Sequence, residues 1–229
     1  MSVSDGSEGS TGPVEPAGSG EKEQQQEDQL SAKALVATGI RIGTTVRTKF
    51  MEPFIARMRP DGLYILDMNK ILYRVDVAGH FLARVEPGKL LVYSSREFAK
   101  TPIEKFCELV GSRAVTGRFM PGMLTNPQLP YYVEADAVMV VDPLLDSQAV
   151  VEASSMGIPV VALCDTDCVP SDVDLIVPAN NRGRKALAAV FWLLARSVLI
   201  HSGALAPEQQ MKYAIEDFET KLEEQAVEG

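Results

Sequence analysis

A chain of 229 residues with 46% apolar content can supply one sizeable core plus tails. Three cysteines, an odd number, argue against a disulfide framework, and no uncharged apolar run reaches membrane-spanning length. The N-terminus lacks the basic-then-apolar order of a signal peptide, so the expectation is a soluble, cytoplasmic protein with no membrane partner.

The formal net charge of -9 hides a partition. Residues 1–31 hold seven acidic residues and one lysine, and residues 207–229 hold seven acidic residues and two lysines. The body between them is mildly basic, and 41–118 carries 14 basic against 8 acidic residues. A basic body between acidic tails is compatible with a polyanionic partner. Residues 1–29 are Gly, Ser, Pro, Glu and Gln without an aromatic residue. They cannot bury enough apolar surface to offset chain entropy, and a disordered acidic tail is expected there.

From residue 63 the pattern alternates strand and helix. Leu63–Leu66 reads as a short strand, and Asp67 caps a helix with the stripe Ile71, Val75, Ala78 and Leu82, ended by Pro87-Gly88. Leu90–Tyr93 is the next strand. Thr101-Pro102-Ile103-Glu104 has capping-box spacing, and its helix buries Ile103, Phe106, Cys107 and Val110 before Gly111. Apolar strands follow at 137–141, 159–163 and 175–177, with a helix over 147–156 capped by Asp146 or Ser147. Residues 184–200 are apolar on nearly every side and form a buried helix. Strands that are apolar throughout, separated by helices, imply a parallel sheet covered on both faces, a doubly wound α/β fold. Pro207 opens an acidic helix with Met211, Ile215, Phe218 and Leu222 on one stripe, which either folds back on the body or docks on a partner. The organisation read from this is a tail at 1–29, a body at 30–206, and a C-terminal helix or tail at 207–229.

Two segments resemble enzyme motifs. An apolar strand ending in Asp165-Thr166-Asp167 resembles the haloacid-dehalogenase phosphotransferases, in which the first aspartate attacks phosphorus and the second is acid/base. That motif normally opens its domain, whereas this one falls late. The plainer reading is that both aspartates satisfy loop amides or a neighbouring side chain. Met139–Gln148 resembles a phosphoribosyltransferase loop but lacks the Thr-Gly run that lets amides approach phosphate. No glycine-rich nucleotide loop lies between a strand and a helix. Cys164, Cys168, His80 and His201 make no convincing zinc set, and Cys107 falls on a core stripe. Neither catalysis, nor a cofactor, a metal or a small-molecule substrate is expected.

Three polar stretches between core elements carry a different chemistry. The first supplies Arg41, Thr44, Thr45, Arg47 and Lys49, continuing to Arg57 and Arg59. The second supplies Arg118, Thr125 and Asn126; the third, at a helix start, supplies Asn180, Asn181, Arg182, Arg184 and Lys185. Cationic side chains neutralise phosphates, while hydroxyls, amides and a helix N-terminus hydrogen-bond phosphate and ribose. These are the candidate RNA-binding residues.

The same stretches resemble the archaeal branch of the small-subunit ribosomal protein two family. The matching segments are Ala37–Thr44, Met51–Ile55, Asp61–Asp67, Gly117–Pro127, Gly157–Asp167, Val173-Asp174, Pro178–Gly183 and Trp192–Arg196. The resemblance runs in order over roughly residues 30–205. It implies a flavodoxin-like, three-layer α/β/α domain with about five strands that binds small-subunit ribosomal RNA. It also implies a place bridging head and body near the messenger RNA exit, late assembly, neighbouring ribosomal proteins as partners, and no catalysis. The chain departs from the family in three ways. The bacterial coiled-coil insertion after Asn126 is missing, Arg41 stands where histidine is usual, and Cys168 replaces a commoner serine or asparagine.

Overall fold

The computed structural model describes residues 34–207, 209 and 211–221, so the expected tail at 1–29 lies outside the described residues. Two strands come first, β1 (Ile55–Met58) and β2 (Tyr64–Leu66), paired antiparallel. They are followed by α1 (Met68–Leu82), β3 (Leu90–Ser94), α2 (Lys100–Val110), β4 (Arg113–Thr116), β5 (Ala137–Val140) and α3 (Ser147–Ser155). The last are β6 (Val160–Cys164), β7 (Leu175–Pro178) and α4 (Arg184–His201). Strands β3 to β7 form one parallel sheet in the order β4-β3-β5-β6-β7. That is the flavodoxin-like winding, with the direction of winding reversing between β3 and β5.

The sheet is buried on both faces because its strands are apolar on both faces. Leu90, Val92, Met139, Leu163 and Val177 pack toward α1, α2 and α4. Their neighbours Leu91, Tyr93, Val138, Val140 and Ala162 face the opposite layer, built by α3 with Met51, Phe119, Met123 and Leu124. The period of two along each strand thus divides one apolar run between two cores. Asp67 caps α1 as expected, its carboxylate accepting from the Asn69 amide at 3.0 Å. Gly111 ends α2 in the left-handed region at φ 78°.

Four local expectations are corrected. Tyr64–Leu66 belongs to the separate hairpin: Gly62, at φ 83°, donates its amide to the Arg59 carbonyl and turns the chain back on β1. The fifth strand of the sheet is instead β4, an edge strand whose half-exposed polar sequence carries no apolar run. Helix α2 starts without a capping box, because a 3-10 turn at Glu97–Ala99 runs directly into Lys100. The stripe expected to form a helix after Pro207 does not: among the described residues there is only a 3-10 turn at Ile215–Phe218. Phe218 is fully buried, the Trp192 indole N–H donates to the Tyr213 carbonyl at 2.9 Å, and the Thr220 hydroxyl donates to the Phe98 carbonyl at 2.9 Å. These anchors, not helical spacing, decide the path of the segment; Leu222 lies outside the described residues.

Candidate nucleic-acid interface

Ligands of open α/β sheets sit outside the carboxyl ends of the strands, at the reversal of winding. Here that crevice lies between Ser94–Arg96, after β3, and Val141–Asp146, after β5, and the chain's own side chains fill it. The Arg96 guanidinium pairs with the Asp142 carboxylate, with Nε at 3.1 Å. Asp146 accepts from the Ser95 amide at 2.9 Å and the Ser95 hydroxyl at 2.6 Å. Asp146 therefore spans the crevice instead of capping α3 with its side chain. Burial pushes its carboxyl above the usual range while the Ser95 bonds pull the other way. Asp142 is committed to Arg96, and Arg118 is exposed.

The aspartates after β6 diverge. Asp165 is 1% exposed and accepts from the Thr166 amide at 2.6 Å. Desolvation raises its pKa to about 6, opposed by that amide and by Arg182, with Asp167 and Asp142 adding to the rise. Asp167 pairs with Arg182. One carboxylate serves an amide and the other a guanidinium, the arrangement of a braced loop.

That loop anchors the first polar stretch. The Thr44 amide donates to the Thr166 hydroxyl at 2.9 Å, the Thr48 amide to the Thr166 carbonyl at 3.0 Å, and the Thr48 hydroxyl to the Cys168 carbonyl at 2.7 Å. The Asn180 amide donates to the Ile40 carbonyl at 2.9 Å. Stretches one and three are therefore joined around the ends of β6 and β7. The second stretch begins where β4 ends: the Gly117 amide donates to the Ser94 carbonyl at 3.0 Å. Its Gly122 and Leu124 amides donate to the buried Glu152 carboxylate of α3 at 2.8 and 3.3 Å. Topology thus collects all three stretches at the carboxyl edge of the sheet.

The candidate residues separate by what their side chains do. Thr45, Lys49, Arg57, Arg118, Thr125 and Lys185 are exposed. Arg41 is half-buried. Arg47 pairs with Glu52 at 2.9 Å and Arg59 with Asp61 at 3.4 Å, both pairs in solvent and weakly held. Arg184 is bound to Glu219 at 2.8 Å and is two-thirds covered. Asn126 accepts from the Gln128 amide. The Thr44 hydroxyl is engaged by Val46 and Thr166, and Asn180 accepts from the Arg182 and Gly183 amides at the start of α4. Asn181 requires correction as a contact residue. It is 2% exposed, and its amide donates to the Val141 and Leu163 carbonyls at 3.1 and 3.4 Å, tying β5 to β6 from inside.

Sequence reading missed Arg96, Glu152 and Thr166, which position these loops; only Arg96, a cation directly after an apolar strand, carried a local signal. It also missed that His80 and His201, distant in sequence, meet edge to face with ring centroids 4.9 Å apart, where His201 pairs with Asp76 at 2.8 Å.

Fold and site together define a doubly wound α/β domain whose switch-point crevice is closed by its own ion pair and whose polar loops gather on the adjacent edge. The family model described as ribosomal protein S2 matches residues 35–130 and 131–200. The small ribosomal subunit protein uS2 of Nitrosopumilus maritimus is 51% identical over 205 residues, 90% of this chain and 99% of that protein. Those of Thermofilum pendens and Pyrobaculum arsenaticum are 54% and 47% identical, over 82% and 88% of this chain and 87% and 98% of theirs. The chain belongs to the ribosomal protein S2 family of the small ribosomal subunit, with archaeal relatives that carry ribosomal and not enzymatic names. Among the described residues no helix is long and apolar enough to cross a membrane.

Proposed function

We propose that this protein is a structural component of the small subunit that binds ribosomal RNA through the carboxyl edge of its sheet and the β1–β2 hairpin. Its body spans 30–206, with the strap ending at Phe218 packed on it, and it works on the ribosome in the cytoplasm. There it bridges head and body near the messenger RNA exit and joins late in assembly. One observation supports this above the others. Chain topology brings three cation-bearing stretches to the one edge whose small-molecule crevice is already filled by Arg96 and Asp142. Neighbouring ribosomal proteins take the exposed apolar side chains on and beside α3, among them Leu144, Leu145 and Val151.

Arg57, Arg118 and Lys185 represent the three stretches and make no ion pair among the described residues. Each phosphate contact releases counterions, so alanine at any of the three should lower the log–log salt slope of binding to a small-subunit RNA fragment by about 0.7 to 0.9. Wild-type slopes for all three variants would defeat the interface assigned here.

A further inference from the structure

The C-terminal strap reaches the edge assigned to RNA. Helices α2 and α4 each follow a parallel strand, so both begin at the carboxyl edge of the sheet. The strap runs between them, from their middle turns toward those starts. Tyr213 lies beside Trp192 of α4, and the Lys105 ammonium of α2 stands 4.4 Å from its ring centre. Phe218 enters the core, and the Thr220 hydroxyl reaches the Phe98 carbonyl just before α2. Between these anchors Glu219 meets Arg184, the first residue of α4, with the carboxylate oxygen 2.8 Å from Nε.

This ion pair differs from the others in the three stretches. Arg47 and Arg59 take their carboxylates from nearby in the sequence, and both pairs lie open to solvent. Arg182 takes Asp167, which braces the loop after β6. Arg184 takes Glu219 from a segment outside the sheet, and the two side chains are only 33% and 23% exposed. Water therefore screens this attraction less than it screens the open pairs. Glu219 also sets a negative charge beside the run Arg182, Arg184 and Lys185. A phosphate brought to Arg184 meets that charge on the same guanidinium, and like charges so close repel.

Resting on the RNA reading above, we propose that Glu219 is an autoinhibitory contact: it occupies Arg184 in the free protein, and RNA must displace it to use that cation. Phe218, buried one residue earlier, keeps the strap on the body, so the exchange is confined to the Glu219 side chain. The freed carboxylate takes up a counterion and offsets part of what the phosphate releases. The strap thus subtracts both affinity and salt dependence from the third stretch.

The test measures binding of the purified full chain to a small-subunit RNA fragment over a range of salt. Glu219→Gln keeps the shape of the side chain and removes its charge. It should bind about 2- to 5-fold more tightly, the worth of one ion pair, with a log–log salt slope steeper by up to about 0.7 to 0.9. Glu216→Gln makes the same charge change on an exposed strap residue that has no ion pair among the described residues, and it should bind as wild type does. Arg184→Ala with Glu219→Gln should match Arg184→Ala alone, because the carboxylate acts through that guanidinium. Wild-type affinity and slope for Glu219→Gln, with a lower melting temperature, would make Glu219 a brace only and overturn the proposal. Equal gains for the Glu216 and Glu219 variants would overturn it too, by assigning the effect to diffuse charge. If wild type and all variants bind the fragment without salt dependence, the underlying RNA reading fails as well.

Discussion

Arg96 and Asp142 face each other across the crevice between β3 and β5, and Asp142 is only 3% exposed. Taking away the guanidinium leaves a buried charge without a partner, which costs far more than an exposed pair is worth. Arg96→Ala should lower stability by about 2–4 kcal/mol, read as a fall in the denaturant midpoint at pH 7. Arg96→Ala combined with Asp142→Asn should recover part of that loss. Strictly additive losses would show that the two groups are not coupled.

Asp165 sets the sign of a pH dependence. Burial raises its folded-state pKa to about 6, above its ordinary value of 3.8. The folded state therefore binds more protons than the unfolded state between those values. Its contribution is fully present below about pH 4 and is lost as pH rises through about 6. Asp165→Asn should flatten the stability profile over that window and be neutral or stabilising, by up to about 3 kcal/mol, at pH 7 relative to pH 4. Urea unfolding at both pH values reads this directly, and an unchanged profile would assign the slope to other carboxylates.

A Cβ on Gly43 would lie 2.9 Å from the Thr166 hydroxyl and 3.0 Å from the Tyr64 carbonyl, and closer still to the Thr166 methyl. Gly43→Ala should thus push the 41–48 stretch off the loop after β6, at about 1–3 kcal/mol. Thr166→Ser removes the methyl and keeps the hydroxyl that receives the Thr44 amide. The double variant should be more stable than Gly43→Ala alone. If it is not, the Tyr64 carbonyl is the limiting contact.

Glu152 receives the Gly122 and Leu124 amides and the Gln148 side-chain amide from within α3. Glu152→Ala leaves buried donors without an acceptor and should cost about 1–3 kcal/mol. Amide exchange should show Gly122 and Leu124 losing protection, with the helical amides of α4 falling only as far as global stability falls.

The layers of this fold were legible because β3, β5 and β6 are apolar on both faces, a pattern only a two-sided sheet satisfies. β4 was not, because an edge strand needs apolar residues on one side only and Arg113 faces solvent. Gly62 marked a turn that was readable in Pro60-Asp61-Gly62, yet the alternation of strand and helix drew β2 into the wrong sheet. Site composition could be read from the three cationic stretches, but the state of each side chain could not. Asn181 and Arg184 have the same chemistry as exposed neighbours, and only the tertiary structure turns one inward and gives the other to Glu219. The polar groups that hold the loops, Thr166 and Glu152, bond across 122 and up to 30 residues, beyond any local pattern.

Phe218 also bears on the order of synthesis. Its ring belongs to the same core as α1, α2 and α4, although every strand of the sheet precedes it in the chain. A nascent chain emerges N-terminus first, so the sheet and its helices are complete while one wall of that core still lacks its aromatic plug. During that interval the apolar face between α2 and α4 is open to water and to other chains. The protein reaches its finished surface only after Phe218 has left the ribosome that makes it.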